Sequence, residues 1–248
     1  SESNLVPMGR MGSGTSWQPA TSPMPMLHKQ SGEWLLMFHY NFVTGVNRQG
    51  GPRGVTKFES ANWFMPSAVR RAGPGTLELR AMLSAEPFTF PPGGSPLLFQ
   101  TGETYKGEPL IDRQHPHDLF MELAADYDRP LKGTLRLQVY GGVAGEPALG
   151  PAAFPHRISA MPNPIAPITH HWLDSSHITF GLVTAAVYDR RWKAEMSVFN
   201  GREPDENRAD LDLGPLDSVS GRLTFMPTAR WAVQVSAGHL NEAEAEFP

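Results

Sequence analysis

Nine stretches of this chain alternate apolar and polar side chains with a period of two, the repeat of a β-strand. At 34–45, Trp34, Leu36, Phe38, Tyr40 and Phe42 share one face, with Met37, His39 and Asn41 on the other. At 76–85, Leu77, Leu79, Ala81 and Leu83 oppose Glu78, Arg80, Met82 and Ser84. At 118–127, Leu119, Met121, Leu123 and Tyr127 oppose Asp118, Glu122 and Asp126; at 134–141, Leu135, Leu137 and Val139 oppose Arg136, Gln138 and Tyr140. The stretch 177–188 puts Ile178, Phe180, Leu182 and Tyr188 on the apolar face. At 192–199, Trp192, Ala194, Met196 and Val198 oppose Lys193, Glu195 and Ser197. At 218–225, Val219, Leu223 and Phe225 oppose Ser220, Arg222 and Thr224, and at 231–240 Trp231, Val233 and Val235 oppose Gln234 and Ser236. The ninth stretch, 58–69, is blurred by Pro66, which cannot donate to a sheet ladder.

The connections alternate as well. "RAGPG", "DRPLKG", "DRR" and "MPTAR" are tight turns, whereas 46–57, 86–117, 142–176 and 200–217 are long. Short turns at one end and long loops at the other are the sequence form of an up-and-down transmembrane β-barrel. The apolar rows are long enough for tilted strands to cross a bilayer. Trp34, Tyr127, Tyr188, Trp192 and Trp231 fall on those rows at the short-turn end, as an aromatic girdle at headgroup level would require. Glu78, Arg80, Glu122, Asp126, Arg136, Lys193, Glu195 and Arg222 fall on the opposite rows and would line the lumen. A soluble β-rich binding protein of the periplasm would alternate in the same way, with its apolar rows turned inward.

Composition narrows this picture. Gly and Pro number 24 each, which fits turns and loops better than helices. The absence of cysteine excludes disulfides, thiolate metal sites and Cys nucleophiles. A net charge of -4 without a basic cluster argues against nucleic acid. No apolar run is long enough for a transmembrane helix. Residues 1–32, rich in Met, Pro, Ser and Gly and without a period, read as a flexible leader, and 33–248 as the barrel. An odd strand count leaves a barrel incomplete, so the chain reads as a fragment lacking its C-terminal part, with the signal peptide presumed missing.

The segments "GSGTSWQPATSPM", "FQTGETYKGEPLIDRQHPHDLFMEL", "GEPALGP", "HHWLDSSHITFG" and "FNGREPDENR" resemble an uncharacterised family of bacterial outer-membrane-type β-barrel proteins. The resemblance runs along nearly the whole chain. It implies an outer-membrane location, a longer C-terminus and an association with heavy-metal or copper resistance systems. It carries over no catalytic residues.

Candidate chemistry gathers in the two longest loops. They hold or adjoin six of the nine histidines, His115, His117, His156, His170, His171 and His177, with Asp112, Asp118 and Asp174 among them. Imidazole with carboxylate suits zinc or copper(II), and His115, His117, Asp118, His170, His171 and His177 form the candidate metal set. Pro116 favours an extended approach that would point His115 and His117 the same way. Met24, Met26 and His28, with Met8 and Met11 upstream, offer thioethers, which select Cu(I). In the acidic loop 199–208, Glu203, Asp205 and Glu206 are cation candidates. The sequence therefore points to an outer-membrane channel or transport-related barrel handling a Cu or Zn ion. The alternatives are an outer-membrane enzyme with a His/Asp site in its loops, or the soluble periplasmic binding protein.

Overall fold

The computed structural model describes residues 10–100, 104–173 and 175–243. Its centre is one ten-stranded antiparallel sheet whose strands follow chain order. They are β1 (Leu27–Ser31), β2 (Trp34–Arg48), β3 (Thr56–Ala72), β4 (Gly75–Leu83), β5 (Phe120–Lys132), β6 (Leu135–Ala144), β7 (Leu182–Tyr188), β8 (Trp192–Phe199), β9 (Ser218–Thr228) and β10 (Trp231–His239). All five short turns lie at one end and all four long connections at the other. Gly73, at φ +58°, closes the β3–β4 turn in the left-handed conformation that hairpins favour. The sheet is open: β1 and β10 are its edges, and no ladder joins them among the described residues.

The period of two is realised as predicted over most strands, and the faces are inverted relative to a water-soluble sheet. On one face Arg80, Glu122, Asp126, Arg136, Lys193, Glu195 and Arg222 are buried and Glu78 is half-buried. On the other, Leu36, Phe42, Leu79, Val139, Met196, Leu223, Phe225, Val233 and Val235 are exposed. Trp192 and Trp231 are exposed there too, and Trp34 and Tyr127 are half-buried.

The polar face is covered by two irregular segments. The first is residues 10–18, part of the stretch read as a flexible leader; it is instead packed against the sheet. The Lys193 ammonium donates to the Thr15 carbonyl, and Arg80 Nη2 donates to the Gly14 carbonyl at 2.9 Å. Gly14 is required here: its φ is +53°, and a Cβ would stand 2.9 Å from the Glu146 carbonyl oxygen. The second segment is the loop after β6. Its Ala148 amide donates to Ser197 Oγ at 2.7 Å, Gly150 to Ser236 Oγ at 2.9 Å, and Ala153 to Ser13 Oγ at 2.7 Å. Irregular backbone must find partners when buried, and the polar rows of the sheet supply them.

Four expectations change. The sheet has a tenth strand, β1, which the sequence reading placed within the leader; it pairs with β2 from Leu27↔Phe38 to Ser31↔Trp34. Tyr188 does not join the girdle. It is buried on the covered face with its ring edge-on to Trp17 at 5.4 Å and its hydroxyl on Asp128 at 2.5 Å. Leu182 and Phe180 are buried with it, because Val183 and Ala185 face outward in β7. Met121 is buried beside Met82, Trp63 and Phe180, because the β4–β5 ladder shifts register between Met82 and Leu83. Such a bulge re-aims a side chain relative to strict alternation. The blurred ninth stretch is a 17-residue strand. Pro66 pairs with Phe38 on the β2 side and lies between the Phe64↔Leu83 and Ser67↔Arg80 pairs on the β4 side, where no ladder donor is needed.

Candidate metal centre

At the long-loop end, three imidazoles converge from two loops. His117 lies just before β5. His170 begins a short helix (His170–Leu173), and His177 ends a 3-10 turn. The ring centroids of His170 and His177 are 4.6 Å apart, those of His117 and His177 5.4 Å, and those of His117 and His170 6.1 Å. One nitrogen from each lies within 4.8 Å of the others. Three nitrogens around a zinc-sized ion stand roughly 3.3 Å apart, so small ring rotations would close the set.

A fourth residue orients the first. Glu86 sits after β4 in the one-turn helix Glu86–Thr89 and is buried. Its Oε2 accepts from the His117 backbone amide at 3.0 Å and meets His117 Nδ1 at 2.8 Å. The Asn62 amide fixes its Oε1 at 3.2 Å. A carboxylate on Nδ1 leaves Nε2 as the lone-pair nitrogen, the arrangement found behind metal-bound histidines. His117 Nε2 is buried with no hydrogen-bond partner among the described residues, as suits a nitrogen that takes a ligand. Burial pushes the His117 imidazole down, but the Glu86 charge and hydrogen bond, with Asp118, outweigh it and hold its pKa above the ordinary value. Protons would therefore compete with any metal for this nitrogen.

The other candidates are placed elsewhere. Asp118 does not join the histidines. It faces Arg208, Oδ2 to Nη1 at 3.4 Å, and burial, partly offset by Arg208 and His117, pushes its carboxyl up to about 6. His115 and His117 do not share a ligand set: the His115 ring lies 5.4 Å from His171, and His171 Nε2 contacts Gln114 Oε1 at 3.2 Å. His28 is exposed on β1, whereas Met24 and Met26 line an interior cavity. Asp112 accepts two hydrogen bonds from Arg53, at 2.6 and 2.8 Å, and braces its loop. Glu206 accepts from the Thr104 hydroxyl and the Gly107 amide. Met8 and Asp174 lie outside the described residues. His156 is fully covered; burial, with His39 and Arg80 nearby, pushes its imidazole down to about 3.

Glu86 escaped the sequence reading. It stands 31 residues before His117, and nothing in "AEPFT" distinguishes it from a solvated helix-start carboxylate. No family model, curated protein or solved structure matches this chain.

Proposed function

We propose that this chain is the sheet of a bacterial outer-membrane β-barrel whose interior handles metal ions, as expected for a transport-related protein. One observation carries the membrane reading. Arg222 is 2% exposed and its neighbour Leu223 is 60% exposed; this order repeats along β8 and β9, and in β10 exposed Val233 and Val235 alternate with half-buried Gln234 and Ser236. In water it would cost free energy on both counts, since charges lose hydration and apolar rows keep theirs. Against hydrocarbon it is the stable arrangement. Among the described residues no helix is long and apolar enough to cross a membrane, so the crossing elements in this reading are the strands. Hydrocarbon also requires every backbone group to be paired. The edges of β1 and β10 must then be closed by further strand-forming chain or by a second copy.

The covered face supports a plugged barrel rather than an open pore, because residues 10–18 and the loop after β6 lie across it. The three histidines, with Glu86 behind His117, support the metal part of the reading. Tetrahedral zinc sites that do chemistry or exchange ligands use three protein donors and leave a fourth position open.

The test is fluorescence quenching of single-tryptophan variants reconstituted into vesicles of lipids brominated along their acyl chains. Trp192 and Trp231 should be quenched, while Trp17 and Trp63, buried on the covered face, should not. A chain that stays monomeric in water without detergent, with no tryptophan quenched, overturns the membrane reading.

A further inference from the structure

Apart from the three histidines, the covered face holds a cavity of about 30 Å³ walled by Met11, Met24, Met26, Met37 and Met65, with His39 among them. Local chemistry brings these groups together. Pro23 and Pro25 favour an extended backbone at 22–26. Burial alternates along it, with both prolines exposed and Met24, between them, and Met26, just after them, half-buried. Met37 and His39 are successive covered-face residues of β2, and Met65 is the cross-strand partner of His39.

Methionine usually fills irregular gaps with its flexible side chain. Here five of them surround space that remains open. That space has room for an ion or a water molecule or two, and is too small for an organic ligand. His39 is 5% exposed, and its Nε2 is buried with no hydrogen-bond partner among the described residues. Such an atom costs free energy unless something binds it. Arg80, also on the wall, is directed to Glu122 at 3.1 Å and to the Gly14 carbonyl, and Glu78 adds a carboxylate.

Hard cations take oxygen donors, whereas thioether sulfur with neutral imidazole selects soft ions. We propose that this cavity binds one soft monovalent cation of the Cu(I) or Ag(I) class, its donors drawn from the sulfurs of Met24, Met26, Met37 and Met65 and Nε2 of His39. The inference rests on the metal-handling reading but uses separate donors. The two sets adjoin. His156, on the cavity wall, has its Nε2 3.4 Å from Met82 Sδ. A neighbouring cavity of about 20 Å³ is lined by His156, Met82, Met121 and His177. Sulfur and imidazole thus continue from the methionine cavity to the three-histidine centre.

The purified chain in detergent is titrated with Ag(I) against a competing chelator, and separately with Co(II). The Met24→Leu/Met26→Leu/Met37→Leu variant keeps side-chain volume while removing sulfur, and strand circular dichroism reads its folding. Ag(I) affinity is expected to fall about tenfold or more, by analogy with losing groups that support a metal, with Co(II) affinity unchanged. The His117→Ala variant should lose Co(II) and keep Ag(I). A wild-type chain that binds no Ag(I), or a folded leucine variant that binds it unchanged, overturns the proposal. Failure of wild-type Co(II) binding alone overturns the histidine centre and leaves the Ag(I) result to decide the cavity.

Discussion

Arg222 grips Glu195 with two parallel hydrogen bonds, Nε to Oε2 at 2.8 Å and Nη2 to Oε1 at 3.2 Å, across the β8–β9 pair. Lys193 reaches the same carboxylate at 3.2 Å. Two buried cations therefore share this one carboxylate. Glu195→Gln is expected to destabilise the fold by about 3–5 kcal/mol, the usual consequence of leaving buried charge unpaired. Met196→Leu, one residue on and outward-facing, should be near neutral. Thermal unfolding in detergent, followed by the strand circular dichroism signal, compares the two.

Leu223 stands on the bare face opposite Ala194 and Val235. If lipid solvates that face, Leu223→Arg should cost roughly 2–4 kcal/mol near the bilayer midplane. Vesicle-bound yield would drop. In water the same change would leave stability unaltered and raise solubility. Denaturant titration in vesicles, with solubility of the detergent-free chain measured alongside, gives opposite signs for the two environments.

Glu86 stands behind His117 and holds its ring through Nδ1. Glu86→Gln keeps an oxygen acceptor but loses the charge, so Co(II) affinity should weaken about 10–100-fold. Glu206→Gln, at a half-buried carboxylate on another loop, should leave it unchanged. Visible absorption of bound Co(II) reports both.

Asp112 holds a left-handed backbone, at φ +56°, and gathers its loop by accepting the Phe99 amide at 2.8 Å and the Arg53 guanidinium. The Phe99 hydrogen bond, then Arg53, hold its carboxyl below the ordinary range. A depressed carboxylate adds stability above its unfolded pKa of about 3.9 and loses it as pH falls through the lower folded value. Hydrogen exchange across 94–114, corrected for intrinsic pH dependence, should accelerate in acid. Asp112→Asn, which tolerates the same backbone, should exchange faster at neutral pH and show no acid step.

Alternation alone determined most of the sheet. It gave the strands from 34 to 240, the ends bearing short turns and long loops, and the rows on which Arg80, Glu195 and Arg222 oppose Leu79, Met196 and Leu223. A period of two is written locally, so each strand announces its own faces. It fails where the tertiary structure changes the phase. Met121 turns inward next to a register shift, and Tyr188 lies inward beside Trp17 because Val183 and Ala185 take the outward positions of β7. Residues 10–18 show no period because they add no strand to the sheet; their order comes from Lys193, Arg80 and Arg222 of distant strands and from the Ala153 amide. The same holds for the chemistry. Histidines crowding two loops were visible in the sequence. That His117 meets His170 and His177 with Glu86 behind it, and that Met24 and Met26 face His39 and Met65, depended on how those loops fold over the sheet. Contacts so far apart in the chain are set by packing and hydrogen bonding across the covered face, which no local pattern encodes.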